Sequence, residues 1–234
     1  MGMVLSNDRL TDGVYHLKVE TNSGGEMGQF YMLRAWDAYP ILSRPLSIHE
    51  VNEDSVEFLY HVVGEGTEIF SQLTSGDSVE LEGPFGTGFP QVDGKVALIG
   101  GGIGIAPLYH CAKQLTDCDV YLGFSREAYR TEAFRPIAAE LTVDVGGFIL
   151  ERVDFSQYDH VFVCGPQPML KAAQLKGIAA EEAGSKTKVY LSLENRMACG
   201  IGACLVCSVS CRDGQRKACA DGPVFLSEEV IFHD

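Results

Sequence analysis

Residues 95–110 read KVALIGGGIGIAPLYH, and their interpretation decides the fold. VALI is a continuous apolar run, the mark of a strand buried on both faces. Gly100, Gly101, Gly102 and Gly104 follow it directly. Glycines there let the chain turn sharply and approach a pyrophosphate, and a following helix N-terminus offers unpaired N–H groups. Pro107 suits the first turn of that helix. It also stands where the third glycine of G-x-G-x-x-G would be, so the stretch alone fits an ordinary strand–helix turn equally well.

Downstream the same rhythm repeats. DVYLGFS (119–125), GGFIL (146–150) and HVFVCG (160–165) are further apolar runs, and KVYLSLE (188–194) is one more strand. Helices are predicted between them over APLYHCAKQL (106–115), EAFRPIAAEL (132–141) and QPMLKAAQLKGIAAEEAG (167–184). Strand and helix in alternation predict a parallel-sheet α/β domain over residues 94–188. Ligands of such sheets bind outside the carboxyl ends of the strands. CGPQPML (164–170) therefore brings Cys164 and Gly165 to the edge that carries the glycine loop.

Upstream, residues 1–93 are β-rich. DGVYHLKVE, QFYMLRAW, RPLSIHEV, SVEFLYHVV and DSVELEGPFG alternate with period two and are divided by Gly, Pro, Asn and Asp. Strands at this spacing predict a small antiparallel barrel or sandwich. TEIFSQLTSG (67–76) predicts one short helix, with Thr67 as N-cap and Gly76 as its stop. An Arg such as Arg44 forks onto diphosphates and Ser47 adds a hydroxyl, while Gly66 and Thr67 form a second anion-binding corner at a helix start.

The 234 residues are 46% hydrophobic and 21% charged, as in globular proteins, and carry a net charge of −14. That charge argues against nucleic acid and against an anionic membrane surface. The longest apolar run is the one quoted first, and its glycines and proline break it short of a bilayer span. The N-terminus lacks the layout of a signal peptide, so the expected location is the cytoplasm, where clustered cysteines mean metal or redox chemistry rather than disulfides.

Residues 189–234 hold that cluster. Cys199, Cys204 and Cys207 are spaced C-x4-C-x2-C, with Cys211 and Cys219 beyond, the plant-type ligand pattern of a [2Fe-2S] centre. Gly200, Gly202 and Ala203 leave backbone N–H groups free to face sulfur. Zinc is a distant second, since only Cys204 and Cys207 form a C-x2-C knuckle. A Rieske centre lacks its histidines. CSVSCRDGQRKAC (207–219) reads as a hairpin turning at Asp213-Gly214, with 211 facing 216 and 208 facing 219. Cys211 then lies roughly 13 Å along the strand from Cys207, whereas Cys219 returns within ~5 Å. The predicted ligands are Cys199, Cys204, Cys207 and Cys219. Cys211, Cys111, Cys118 and Cys164 are expected to remain uncoordinated.

Taken in order, RPLS, GEGT, GPFG, GGGIGIAPL and CGPQPM resemble the ferredoxin–NADP reductase superfamily over roughly residues 1–190. The resemblance implies a flavin barrel in which Arg44, Pro45, Leu46, Ser47, Leu59, Tyr60, His61, Gly66 and Thr67 hold FAD. It also implies NAD(P)H against the flavin from the side of Gly100, Gly101, Gly102, Gly104, Cys164 and Gly165. SLENRMACGIGACLVCSVSC with KACADGPVF is similar to the tail of electron-transfer subunits of dihydroorotate dehydrogenase B. That similarity implies an oxidoreductase subunit of pyrimidine biosynthesis without a dihydroorotate site or a catalytic acid–base residue of its own. Its partner would be an FMN subunit oxidising dihydroorotate, in a heterotetramer of two copies of each. Electrons would run from FMN through [2Fe-2S] and FAD to NAD⁺. Ser125 and Arg126 leave NADP open. Two other readings stay open: a reductase subunit serving a hydrogenase, ferredoxin or oxygenase, and a non-catalytic redox-sensing or zinc-stabilised binding protein.

Overall fold

A computed structural model of the chain describes residues 1–233. The N-terminal half closes into a barrel of six antiparallel strands in the order β1-β2-β5-β4-β3-β6. These are β1 (Gly2–Thr11), β2 (Val14–Glu20), β3 (Phe30–Arg34), β4 (Arg44–Val51), β5 (Ser55–His61) and β6 (Ser78–Phe85), with α1 (Glu65–Ser71) inserted before the last. Closure removes the unpaired edges that an open antiparallel sheet presents. Val4, Leu17, Leu33, Ile48, Phe58 and Phe70 fill the interior.

β1 had no counterpart in the sequence reading. Its residues, GMVLSNDRLT, show no sustained alternation, and only Val4 among them is buried. The strand is held by its ladder to β2 and a short pairing with β6. The short helix also starts earlier than expected. Gly64 is its N-cap and Thr67 its third residue, whose hydroxyl accepts from the N–H groups of Val63 at 3.0 Å and Gly64 at 3.2 Å. Gly76 is not its stop. The helix ends at Ser71, and Gly76 serves the turn into β6 with φ +97°.

The second half is a six-stranded sheet, β14-β11-β10-β7-β8-β9. It contains β7 (Val96–Gly101), β8 (Cys118–Phe124), β9 (Glu140–Val145), β10 (His160–Cys164), β11 (Lys188–Ser192) and β14 (Val224–Leu226). All neighbours pair in parallel except β14, which returns antiparallel to β11. Helices α2 (Ala106–Gln114) and α4 (Gln167–Glu182) fall where the sequence placed them. The expected helix over 132–141 shrinks to α3 (Thr131–Phe134). Pro136 cannot donate to a further turn, and the Ala139 N–H is drawn to the Cys118 carbonyl, beside which β9 begins. The expected strand over 146–150 is corrected in turn: Gly146 (φ +81°) and Gly147 make a turn capped by Asp144, and a 3-10 turn follows at Ile149–Arg152.

The barrel and sheet share a core, since Met27, Leu59 and Phe89 pack with Leu98, Ile105, Leu108 and Phe162. The tail adds the ribbon β12 (Ser208–Cys211) and β13 (Gly214–Lys217). Its register corrects the sequence reading by two residues. Cys211 faces Gly214 and Ser208 faces Lys217, so the turn is Arg212-Asp213 rather than Asp213-Gly214.

Candidate cofactor sites

Arg44, Pro45, Leu46 and Ser47 open β4, and Leu59, Tyr60 and His61 close the neighbouring β5. Together with Thr67 and Cys164 they line one cleft of about 480 Å³ between barrel and sheet. Arg44 lies over the N-terminal turn of α1. A Cβ on Gly66 would stand 2.6 Å from its Nε, so only glycine leaves the guanidinium its place. The same guanidinium sits 5.3 Å from the Trp36 ring and donates to the Leu42 carbonyl. Tyr60 belongs to the barrel interior: its ring stacks on Tyr15 at 5.5 Å and its hydroxyl donates to Asn7 at 3.1 Å. Burial raises its phenol.

A second cleft, of about 540 Å³, runs along the carboxyl ends of β7, β8 and β10. Gly101 and Gly102 line it, with Ile103, Phe124, Ser125, Phe148 and Met169. Its lining contains no Lys or Arg, and Arg126 is exposed outside it. Gly100 and Gly104 act by close approach instead. A Cβ on Gly100 would meet Ile105 and Leu108 at 2.9 Å, and one on Gly104 would meet the Cys164 carbonyl at 2.4 Å. Gly165 lies 3.3 Å from Gly101 by the same measure and lines a smaller cavity of about 220 Å³ next door. The two glycine-rich strand ends therefore pack directly on each other.

Residues 192–197, which carry part of the family resemblance but were assigned to no cofactor site, join the two clefts. Ser192, Leu193, Glu194, Asn195 and Met197 line the first, and Glu194 with Ile103 lines the second as well. Burial raises the Glu194 carboxyl. Cys164 faces the same junction, and burial pushes its thiol far up, so it is neutral. The signal was available: Ser192 ends a parallel strand, the edge where ligands collect.

In the tail, backbone N–H groups converge on sulfur. Gly202 donates to Cys219 Sγ at 3.1 Å, Cys204 to Cys199 Sγ at 3.4 Å, and Cys219 to Cys207 Sγ at 3.4 Å. Gly200 (φ +72°), Gly202 (φ +81°) and Leu205 (φ +62°) hold the loop in left-handed conformations. A leucine there is strained, and such strain collects at functional sites. Backbone hydrogen bonds from Ile201 and Cys204 bring the Cys199 thiol down to about 6, the direction that favours a thiolate ligand. Burial drives Cys219 up to about 12, a penalty on charge that a bound metal ion reverses. Among the described residues no three His, Cys, Asp or Glu side chains already converge on one metal position. The thiols are gathered in pairs. Cys207 and Cys219 are buried side by side, Cys199 is half-buried and Cys204 exposed. The donor set, all sulfur with N–H groups aimed at it, fits an iron–sulfur cluster. Cys211 lies apart, paired with Gly214 and bridged to Val230.

A closed antiparallel barrel whose strand ends share a cleft with the glycine-rich edge of a parallel sheet defines the class of flavin and pyridine-nucleotide reductases. A solved structure of an NADH-dependent reduced ferredoxin-NADP oxidoreductase superposes with a TM-score of 0.87 at 26% identity, over 99% of this chain and 90% of that one. Phthalate dioxygenase reductase shares the fold at a TM-score of 0.64 and 15% identity, over 90% and 86%. The family description "Iron-sulfur cluster binding domain of dihydroorotate dehydrogenase B" matches residues 194–231. The "Dihydroorotate dehydrogenase B (NAD(+)), electron transfer subunit" of Clostridium acetobutylicum is 41% identical over 99% of this chain and 96% of its own length. Its counterpart in Caldanaerobacter subterraneus is 39% identical over 98% and 97%. The chain belongs to the family of dihydroorotate dehydrogenase B electron-transfer subunits.

Proposed function

We propose that the chain passes electrons from the FMN of a dihydroorotate-oxidising partner, through a [2Fe-2S] centre and FAD, to NAD⁺. The observation that carries this reading is the junction at Ile103 and Glu194, where the two clefts share a wall. Bound there, FAD supplies the exchange between two-electron chemistry with nicotinamide and one-electron chemistry with the cluster. Arg44 places a positive charge for the diphosphate in the cleft that Ser47 also lines. Gly101 and Gly102 let the dinucleotide approach the start of α2. The absence of Lys and Arg from the second cleft's lining favours NAD over NADP, whose extra phosphate needs a cation.

Cys199, Cys204, Cys207 and Cys219 are the proposed cluster ligands. The three segments 1–93, 94–188 and 189–234 are the proposed flavin, nucleotide and cluster units, with the difference that β14 and all of β11 but Lys188, which fall in the third, pair into the nucleotide sheet. The loop that holds these cysteines exposes Ile201, Leu205 and Val206, 64%, 60% and 55% accessible, a cost in water that a docked subunit removes. This supports a partner over the cluster, in the heterotetramer that the family resemblance implies. No helix among the described residues is long and apolar enough to cross a membrane, and all eight cysteines stand as free thiols. A cytoplasmic place is proposed because a clustered, unbridged set of cysteines is the chemistry of a reducing compartment.

An absorption spectrum of the purified chain, before and after NADH, tests the cofactors: flavin bands that bleach and a cluster signal on reduction are expected. A colourless protein overturns the reading. Co-purification with an FMN subunit that turns over dihydroorotate tests the partner, and recovery of a hydrogenase or oxygenase component instead would refute it.

A further inference from the structure

Besides the shared apolar core, the barrel meets the nucleotide half along a polar seam on α2. On α2, Ala106, Tyr109 and Lys113 recur at i, i+3 and i+7, one face of the helix. All three engage β4. His49 Nδ1 lies 2.8 Å from the Ala106 carbonyl, the Tyr109 ring stacks on the His49 ring at 4.8 Å, and Lys113 pairs with Glu50. β4 is also the strand that carries Arg44–Ser47, and α2 is the helix that the glycine loop opens. We propose that His49 is a positioning residue, whose hydrogen bond to Ala106 sets the nucleotide loop against the flavin strand. The proposal rests on the reading of the two clefts as flavin and nicotinamide sites.

The chemistry of the ring limits what it does. A carbonyl only accepts, so Nδ1 carries the proton and donates. Nε2 is then unprotonated, and it is buried without a partner. His49 has no exposed surface. Its ring is faced by His16 of β2, edge-on at 5.6 Å, and by Tyr109 of α2. Glu57 of β5 and Arg130, before α3, supply the nearby charges. Burial holds the imidazole down to about 3, so it stays neutral and keeps one tautomer. A donor that never titrates near neutrality, fixed between two cofactor-bearing elements, sets distance rather than moving protons. Arg130 reinforces the seam, lying 3.9 Å from Glu57 and 6.0 Å from the Tyr109 ring centre.

Two substitutions separate the hydrogen bond from packing. His49→Phe keeps the ring and its stack on Tyr109 but has no donor. His49→Asn gives up the ring yet keeps a donor near the place of Nδ1. Each is prepared in the full complex with its flavin content measured. Anaerobic flavin reduction by NADH is followed by absorbance, and amide hydrogen exchange over residues 102–110 is measured alongside. His49→Phe is expected to lower the limiting reduction rate and to speed the exchange, each about tenfold, with half-saturating NADH moved less than threefold. His49→Asn is expected to restore both. An Asn variant as slow as Phe, or a Phe variant as fast as the parent, overturns the proposal. Should His49→Phe not fold, Lys113→Met at the exposed end of the seam decides. Faster exchange at Ala106–Tyr109 supports the seam, and unchanged exchange sinks it. Parent protein without flavin refutes the cleft assignments instead, and the exchange data still judge the seam.

Discussion

Cys211 ends the first strand of the ribbon and Cys219 follows its second strand; both thiols are buried, yet their surroundings differ. Cys219 accepts the Gly202 N–H and donates its own to Cys207, whereas Cys211 is fixed by strand pairing alone. Cys219→Ser is expected to abolish the cluster's visible absorbance and its reduced-state EPR signal, and Cys211→Ser to leave both intact. A cluster lost with Cys211 and kept without Cys219 would reverse the assignment. The cysteine spacing was legible because ligand chemistry constrains neighbours in sequence. The ribbon register was not, because Asp-Gly is a strong turn signal that the chain does not use as its turn. The slip still leaves Cys219 next to Cys207, since Ala218 donates to the Cys207 carbonyl at 2.9 Å and delivers the next residue beside it. At Gly66 the expectation concerns flavin. Gly66→Ala pushes its methyl into the Arg44 guanidinium and is expected to weaken FAD retention about tenfold, measured by flavin release on dilution. Unchanged retention would remove Arg44 from the flavin site.

At the scale of elements, the strands with clean alternation or continuous apolar runs were readable, and the failures share one cause. β1 is polar, and β9 is an exposed edge whose first residues, Glu140 and Leu141, end the helix expected over 132–141, while TVDV has no predicted element. In both, pairing with a neighbour overrides local propensity. The pair β2–β5 gives a pH expectation. His16 and Lys18 on β2 hold the Glu57 carboxylate of β5 at 2.7 and 3.2 Å. Burial alone would raise that carboxyl, but the hydrogen bond and charge of His16, with Lys18, bring it down to about 2. An unfolded chain takes up the proton near 4.5 and the folded chain only near 2. Stability is therefore present above the upper value and lost as pH falls between the two, by up to about 3 kcal/mol. Denaturant titrations across that window check it. Glu57→Gln is expected to flatten the slope, and a slope equal to the parent's would show that the ion pair contributes nothing.

For the whole molecule, the class of architecture was legible because barrel and sheet differ in periodicity, two against continuous runs. The cleft between them was legible only in part. Arg44–Ser47 and the glycine loop announce themselves by residue type, whereas Ser192–Met197 enter the site only because they follow the end of a parallel strand, a signal of position rather than of residue type. Sheet order also assigns a structural duty to the tail. β14 lies on β11, and Phe225 packs in the core beside Leu191 and Leu170. Ending the chain after Leu193 is expected to leave that edge bare and yield aggregated protein, judged by solubility and thermal unfolding. A soluble, flavin-loaded fragment would instead make the tail an appendage.

The same pairing has a consequence for how such proteins diversify. The chain leaves the sheet after Ser192 and re-enters it at Val224, the residue directly opposite, with the Leu193 N–H on the Pro223 carbonyl at 2.9 Å. Everything between is a cassette slotted into adjoining strand ends. Its sulfur-bearing part can change length without re-threading the sheet, although Cys207, Val209, Ala218 and Cys219 pack in one core with Phe30 and Met32 of the barrel. The flavin and dinucleotide ends, built into barrel closure and strand order, have no such freedom. Strand order thus fixes the flavin and dinucleotide ends, while the sulfur-bearing segment hangs between two paired residues, Ser192 and Val224.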